Sequence, residues 1–159
     1  ASLNTTLNST FKTEKLSGFD DKIAEVTWRV SGYGTSTATA KTIYTGEITN
    51  ATKTHTAKIG LMYPSDYGYA TTPDYWTIKL WDYETGAYSK DWLFLSSDEW
   101  LLSPNSGLSG RAFTVGSRGL VGYDGHMAAT YAVRPSFYLL SSVKYESGDG
   151  TDSSPIRVN

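Results

Sequence analysis

Two histidines, His55 and His126, and no cysteine bound what this chain can catalyse. Two imidazoles are too few for a histidine metal cage. The lack of thiols removes disulfides, thiolate metal sites and cysteine nucleophiles together. A serine nucleophile would need one of the two histidines as its base, and no Gly-x-Ser-x-Gly elbow occurs; "VGSRG" reads as a glycine turn that contains a serine. Carboxylates are paired at Asp20–Asp21, Asp82–Glu84 and Asp98–Glu99. Each pair sits among polar neighbours, where the split in pKa that serves glycoside hydrolysis is not expected. "SGDGTDSS" offers Asp149 and Asp152 as oxygen ligands for calcium but lacks the EF-hand order with its terminal bidentate Glu. Turn formation by Asp and Gly accounts for that stretch without an ion. The chain is read as non-enzymatic, with no cofactor and no metal.

The residues left to do chemistry are aromatic: twelve Tyr, five Trp and five Phe. In "GLMYPSDYGYATTPDYW" (Gly60 to Trp76), Ile59 just before it and Met62 suit a strand interior. "YPSDYGY" reads as a turn, too punctuated by proline and glycine for a helix, with Tyr63, Tyr67 and Tyr69 packing back as structure. The binding candidates are rings flanked by turn and polar residues: Trp81, Tyr83 and Tyr88 in "WDYETGAY", and Tyr123, Asp124, His126 and Tyr131 in "GYDGHMAATY". Aromatic faces beside hydrogen-bonding groups suit sugars and protein hot spots. Arg134 stands in the apolar run "YAVRPSFYLL", where a charge is costly unless paired. It is expected in a buried ion pair or clamped on a backbone carbonyl, and Pro135 places its strand at an edge.

The elements that must position these groups are short. Leu3, Leu7, Phe11 and Leu16 recur at spacings of four, four and five, an amphipathic helix or arm over residues 1–16. A further helical turn is expected between Ser17 and Ala24. "AEVTWRVSGYG" alternates Val26, Trp28 and Val30 against Thr27 and Arg29, a strand ended by glycines. The Thr-rich segment that follows is expected to hold one or two short helical or strand pieces before a "KIGLM" strand. "ETGAY" reads as a turn, "RAFTV", "GLVGY" and "YAVRPSFYLL" as short strands between glycine turns, and the C-terminus as a hairpin around "SGDGTDSS". No linker divides residues 17–159, which are read as one domain.

Composition narrows the setting. A Thr- and Tyr-rich chain with only 19% charged residues suits half-buried pleated surfaces. A net charge of −2 without any basic cluster excludes electrostatic nucleic-acid binding. No apolar run approaches the ~20 residues of a membrane span. The chain opens at "ASLNTTLNSTF" without Met, which reads as a start left by removal of a targeting segment. Together with the missing cysteines, this fits an exported bacterial protein.

The blocks "AEVTWRVSGYG", "KIGLMYPSDYGYA", "WLFLSSDEWLLSP" and "AVRPSFYLLSSVKYESGDGTDSSPIRV" resemble a domain that recurs in secreted and cell-surface proteins of Gram-positive bacteria, from about Leu16 to Val158. Such domains often follow a prepilin-like or signal-anchor segment, so the resemblance implies an extracellular, surface-anchored or filament-borne context without enzymatic activity. Members often carry a cysteine pair near positions 75–92, where this chain has Trp76, Trp81 and Trp92. More distantly, Trp100 in "WLLSP", Arg111 in "RAFTV", "GLVGY" and "AVRPSF" resemble the C-terminal half of C-type-lectin-like folds. The branch in question is the one shared with formylglycine-generating enzymes; the cysteine on which their chemistry depends is missing here. The expectation is an α+β domain of short irregular strands, C-type-lectin-like in its C-terminal half, behind a helical arm. Its expected role is recognition of a protein or glycan through aromatic and glycine-rich loops. The competing expectation is a filament or pilus subunit that lends residues 1–16 to a neighbouring subunit.

Overall fold

The computed structural model describes residues 2–30, 37–126 and 128–159, with the side chains of 123–126 excepted. The N-terminal apolar spacing gives one continuous helical run. Ser2 caps α1 (Leu3–Thr6) by accepting from Thr5 N, a π-helical turn follows at Leu7–Phe11, and α2 (Lys12–Lys15) completes the run. Its apolar side lies on the chain's own domain. Leu7 is buried against Ile59 and Leu61, with Phe11, Leu16, Trp100 and Leu102 around them. Asn8 fixes the register: its Nδ2 donates to Ile59 O at 2.8 Å and its Oδ1 accepts from Ile59 N at 3.0 Å. This side-chain amide therefore satisfies one residue of a strand edge as a neighbouring strand would. Asn4 Nδ2 and His55 Nε2, 2.9 Å apart, add a second tie.

After a 3₁₀ turn at Asp20–Lys22, β1 (Val26–Arg29) pairs antiparallel with β2 (Thr54–Ala57), Trp28 opposite His55. The alternation read from the sequence holds: Trp28 is buried while Thr27 and Arg29 face out. The glycines expected to end this strand lie outside the described residues. Between β1 and β2 the Thr-rich segment forms α3 (Ala40–Thr49), capped by Thr39, whose hydroxyl accepts from Thr42 N. Next, β3 (Ile59–Leu61) pairs antiparallel with β7 (Pro135–Phe137), Leu61 opposite Pro135. This ladder has two strands, so both are edges and the missing proline N–H is tolerated.

"PSDYGY" is a helix rather than a turn: α4 (Pro64–Tyr69). Proline at its first position helps rather than hinders, since that N–H has no helical partner. Asp66 at the third position closes a capping box by accepting from Tyr63 N at 2.8 Å. Gly68 lets α4 touch its neighbours, because a β-carbon there would stand 2.7 Å from Ala40 Cβ and 2.6 Å from Leu80 Cδ2. Residues 73–90 then run through 3₁₀ turns at Pro73–Tyr75, Leu80–Thr85 and Ala87–Lys90.

The largest sheet is antiparallel, β4 (Glu99–Pro104), β5 (Arg111–Val115) and β6 (Val121–His126), in that order. Its two faces carry two cores. Leu101, Phe113, Val115 and Val121 join Ile43, Met62, Tyr67, Leu80 and Tyr83 on one side. Trp100 and Leu102 pack toward the N-terminal helix on the other. The C-terminal hairpin forms as expected from β8 (Tyr145–Ser147) and β9 (Arg157–Val158), with Asp149 Oδ1 accepting from Thr151 N and Oγ1. The molecule is thus α+β, built from small antiparallel sheets with short helices. Among the described residues no helix is long and apolar enough to cross a membrane.

Arg134 meets both of its expectations. Its Nε and Nη2 grip the two oxygens of Glu99 at 2.9 and 2.8 Å, and Nη2 also donates to Leu93 O at 2.6 Å. Glu99, expected in polar surroundings, is instead 1% exposed. The strand alternation that sends Trp100 to one face sends Glu99 to the interior, where the Arg134 guanidinium compensates its charge.

Candidate ligand-binding cleft

Of the seven sequence-predicted binding residues, the side chains of Trp81, Tyr83, Tyr88 and Tyr131 are described. Tyr83 is fully buried and its hydroxyl donates to Gly68 O at 2.7 Å, so it is a core residue rather than a contact. The 3₁₀ turn that carries it points it inward between Tyr67 and Leu80. Tyr88 is half-buried, its ring edge-to-face with Phe94 at 5.1 Å, under a turn where Gly119 has φ +85°. A β-carbon on Gly119 would reach 2.2 Å from Tyr88 Cβ. Trp81 is exposed, its ring beside Gly122 of β6. The Tyr131 ring lies 4.8 Å from that of Trp100, with planes at 45°, and Trp100 stands in one cross-strand row with Thr114 and Gly122. Tyr123, Asp124 and His126 fall in β6 rather than in a loop, and their side chains lie outside the described part.

The structure instead gathers titratable and aromatic groups between β1, α3, α4 and residue 138. α3 buries Ala40, Ile43 and Glu47 and turns Tyr44 and Ile48 outward. Residues 40, 43 and 47 share one helical face, so the carboxyl of Glu47 is carried inward with the apolar pair. It meets the start of α4, accepting from Ser65 N at 3.3 Å and from the Ser65 hydroxyl. On β1, the Arg29 N–H donates to the Tyr63 hydroxyl oxygen at 2.8 Å, and Arg29 Nη1 donates to Ile48 O at 2.5 Å. The buried indole of Trp28 sits between the rings of Tyr63 and Tyr138, 6.3 and 5.4 Å away, and donates to Ala57 O at 3.0 Å.

Tyr44, Glu47, Tyr63, Ser65, Asp66 and Tyr138 line a cleft of about 260 Å³, with Arg29 at its edge. Burial pushes the Glu47 carboxyl up to about 7, against the opposing pull of its Ser65 bonds, and the Asp66 charge adds to the rise. Burial of its carboxyl raises Asp66 as well, against the opposing pull of the Tyr63 N–H bond. Burial likewise raises the Tyr63 and Tyr138 phenols. Among the described residues neither Glu47 nor Asp66 has a cation within ion-pair distance. The Ser65 hydroxyl is buried and spent on Glu47, so it is no open nucleophile.

From the cleft a row of rings leads outward. Tyr44 meets Tyr69 edge-on at 6.4 Å, and Tyr69 meets Trp76 at 5.2 Å with planes at 88°. Trp76 is pinned by a bond from its Nε1 to Thr71 O at 3.0 Å. All three keep more than a third of their surface exposed. Tyr69 is therefore a surface ring, unlike Tyr67, which is fully buried with its hydroxyl on Gly119 O. The sequence signal for the cleft was a charged residue, Glu47, at helical spacing from Ala40 and Ile43. It went unread because the surrounding threonines hid the helix. Among the described residues no group of acidic or histidine side chains is placed to hold a metal ion. Comparison with protein-family models, with curated proteins and with solved structures gave no match to this chain.

Proposed function

We propose that this protein is a non-enzymatic recognition module of a bacterial surface or pilus-associated protein, acting outside the cell and binding a glycan or protein. The observation that supports this reading is the row Tyr44, Tyr69 and Trp76, exposed yet held edge-to-face beside a polar cleft. Rings locked before binding lose little side-chain entropy when a ligand covers them, and they supply most of the energy at such surfaces. The C-type-lectin-like likeness of the C-terminal half belongs to the same proposal and rests on the Trp100, Arg111 and Ala132–Phe137 blocks. The helix over residues 3–15 packs on its own domain, which favours a self-contained module over a subunit that lends its arm. A screen of glycans and surface proteins against the intact chain and its Tyr69→Ala/Trp76→Ala double variant tests the reading. A ligand held by the first and lost by the folded second is expected; no ligand, or one held equally by both, overturns it.

A further inference from the structure

We infer that the cleft between α3 and α4 binds an alkylammonium group, such as a choline head group or a methylated amine, within a wall of tyrosines floored by Glu47 and Asp66. The inference rests on the recognition reading above and names the chemistry of its ligand. Three observations carry it. Tyr44, Tyr63 and Tyr138 line one cavity, and aromatic faces attract desolvated cations. Two carboxyls share that cavity and, among the described residues, neither is held in an ion pair, so a positive ligand supplies a counter-charge. The volume, about 260 Å³, lies below the range of drug-sized pockets and suits a small head group.

Among the described residues the one cationic side chain at the rim is Arg29, whose Nη1 is held on Ile48 O. Facing Glu47 are the Ser65 hydroxyl and N–H, with Asp66 beyond; facing Asp66 are Tyr63 N–H and, further out, Tyr138. A cation favours the ionised forms of Glu47 and Asp66. Affinity therefore rises as pH rises through the Glu47 midpoint, and a proton is released on binding.

The test titrates the intact chain with choline chloride and, separately, with its uncharged isostere 3,3-dimethyl-1-butanol, following the amide resonances of Tyr44, Ser65 and Asp66. Choline is expected to bind at least about ten-fold tighter than the alcohol. Its affinity should rise about ten-fold from pH 6 to pH 8, as the ionised fraction of a group titrating at about 7 does. Tyr44→Ala, at a surface position, is expected to lose binding while keeping its melting temperature, and Glu47→Gln to abolish the pH dependence. Equal binding of choline and the alcohol, no binding of choline, or binding that weakens with pH overturns the inference. If choline fails while the Tyr69/Trp76-dependent ligand is still captured, the cation chemistry falls and the recognition reading stands. If that ligand is also absent, both fall.

Discussion

At the scale of single residues, the chemistry of this molecule is set by carboxyls carried where charge is unwelcome. Glu99 and Glu47 are both nearly fully buried, yet their surroundings differ. Glu99 has a guanidinium on both oxygens and stays an ion pair. Among the described residues Glu47 has only Ser65, and its pKa is raised from its ordinary value to about 7. Between about pH 4.5 and 7 the folded chain therefore holds a proton on Glu47 that the unfolded chain has released. Stability from this group is full below about pH 4.5 and is lost as pH rises to about 7. Asp91, raised by burial to about 6, acts in the same direction over a lower window. Urea unfolding of the wild type and of Glu47→Gln at pH 5 and pH 8 checks this. The wild type should lose on the order of 2 kcal/mol relative to the variant between the two pH values. Equal slopes would show that Glu47 is hydrated in the folded chain.

At the scale of elements, the cleft exists because α3 and α4 approach closely. That approach depends on Gly68 facing Ala40 and on Glu47 bridging to Ser65. Gly68→Ala puts a methyl where Ala40 Cβ and Leu80 Cδ2 already stand, so one helix must move. The expected cost is about 1–3 kcal/mol, read as a lower urea midpoint, with altered amide shifts at Tyr44 and Ser65. Unchanged stability would mean that the helices part freely and the cleft has no fixed shape. Much of the elements' pattern was legible in sequence: the alternation around Trp28, the terminal hairpin, and the N-terminal apolar spacing. α4 was not, because proline and glycine read as punctuation. Proline is harmless at a first helical position, and glycine is required where another helix touches.

At the scale of the whole molecule, the helix over residues 3–15 is part of the fold. It covers one face of the large sheet with Leu7, Phe11 and Leu16, and it closes the Ile59 edge through Asn8. Light scattering of the intact chain should give a monomer. Removal of residues 1–16 uncovers Ile59, Leu61, Trp100 and Leu102, so the truncated chain should melt lower and self-associate. Ordered multimers of the intact chain that dissolve on truncation would reverse this and make the helix a polymerisation device.

By itself the sequence determined the α+β class, the strand around Trp28, the C-terminal turn at Asp149 and the need of Arg134 for a partner. Each follows from local alternation, turn chemistry or the cost of an unpaired charge. The tertiary structure alone decided which rings are surface and which are core. Tyr83 and Tyr67 went inside, while Tyr44 and Tyr69 stayed out. Neither composition nor spacing distinguishes these rings, because a tyrosine suits either environment once its hydroxyl finds a partner. The same holds for Glu47: that it lies on a buried helical face is local, but that Ser65, Asp66 and Tyr138 meet it there is a matter of how distant segments pack.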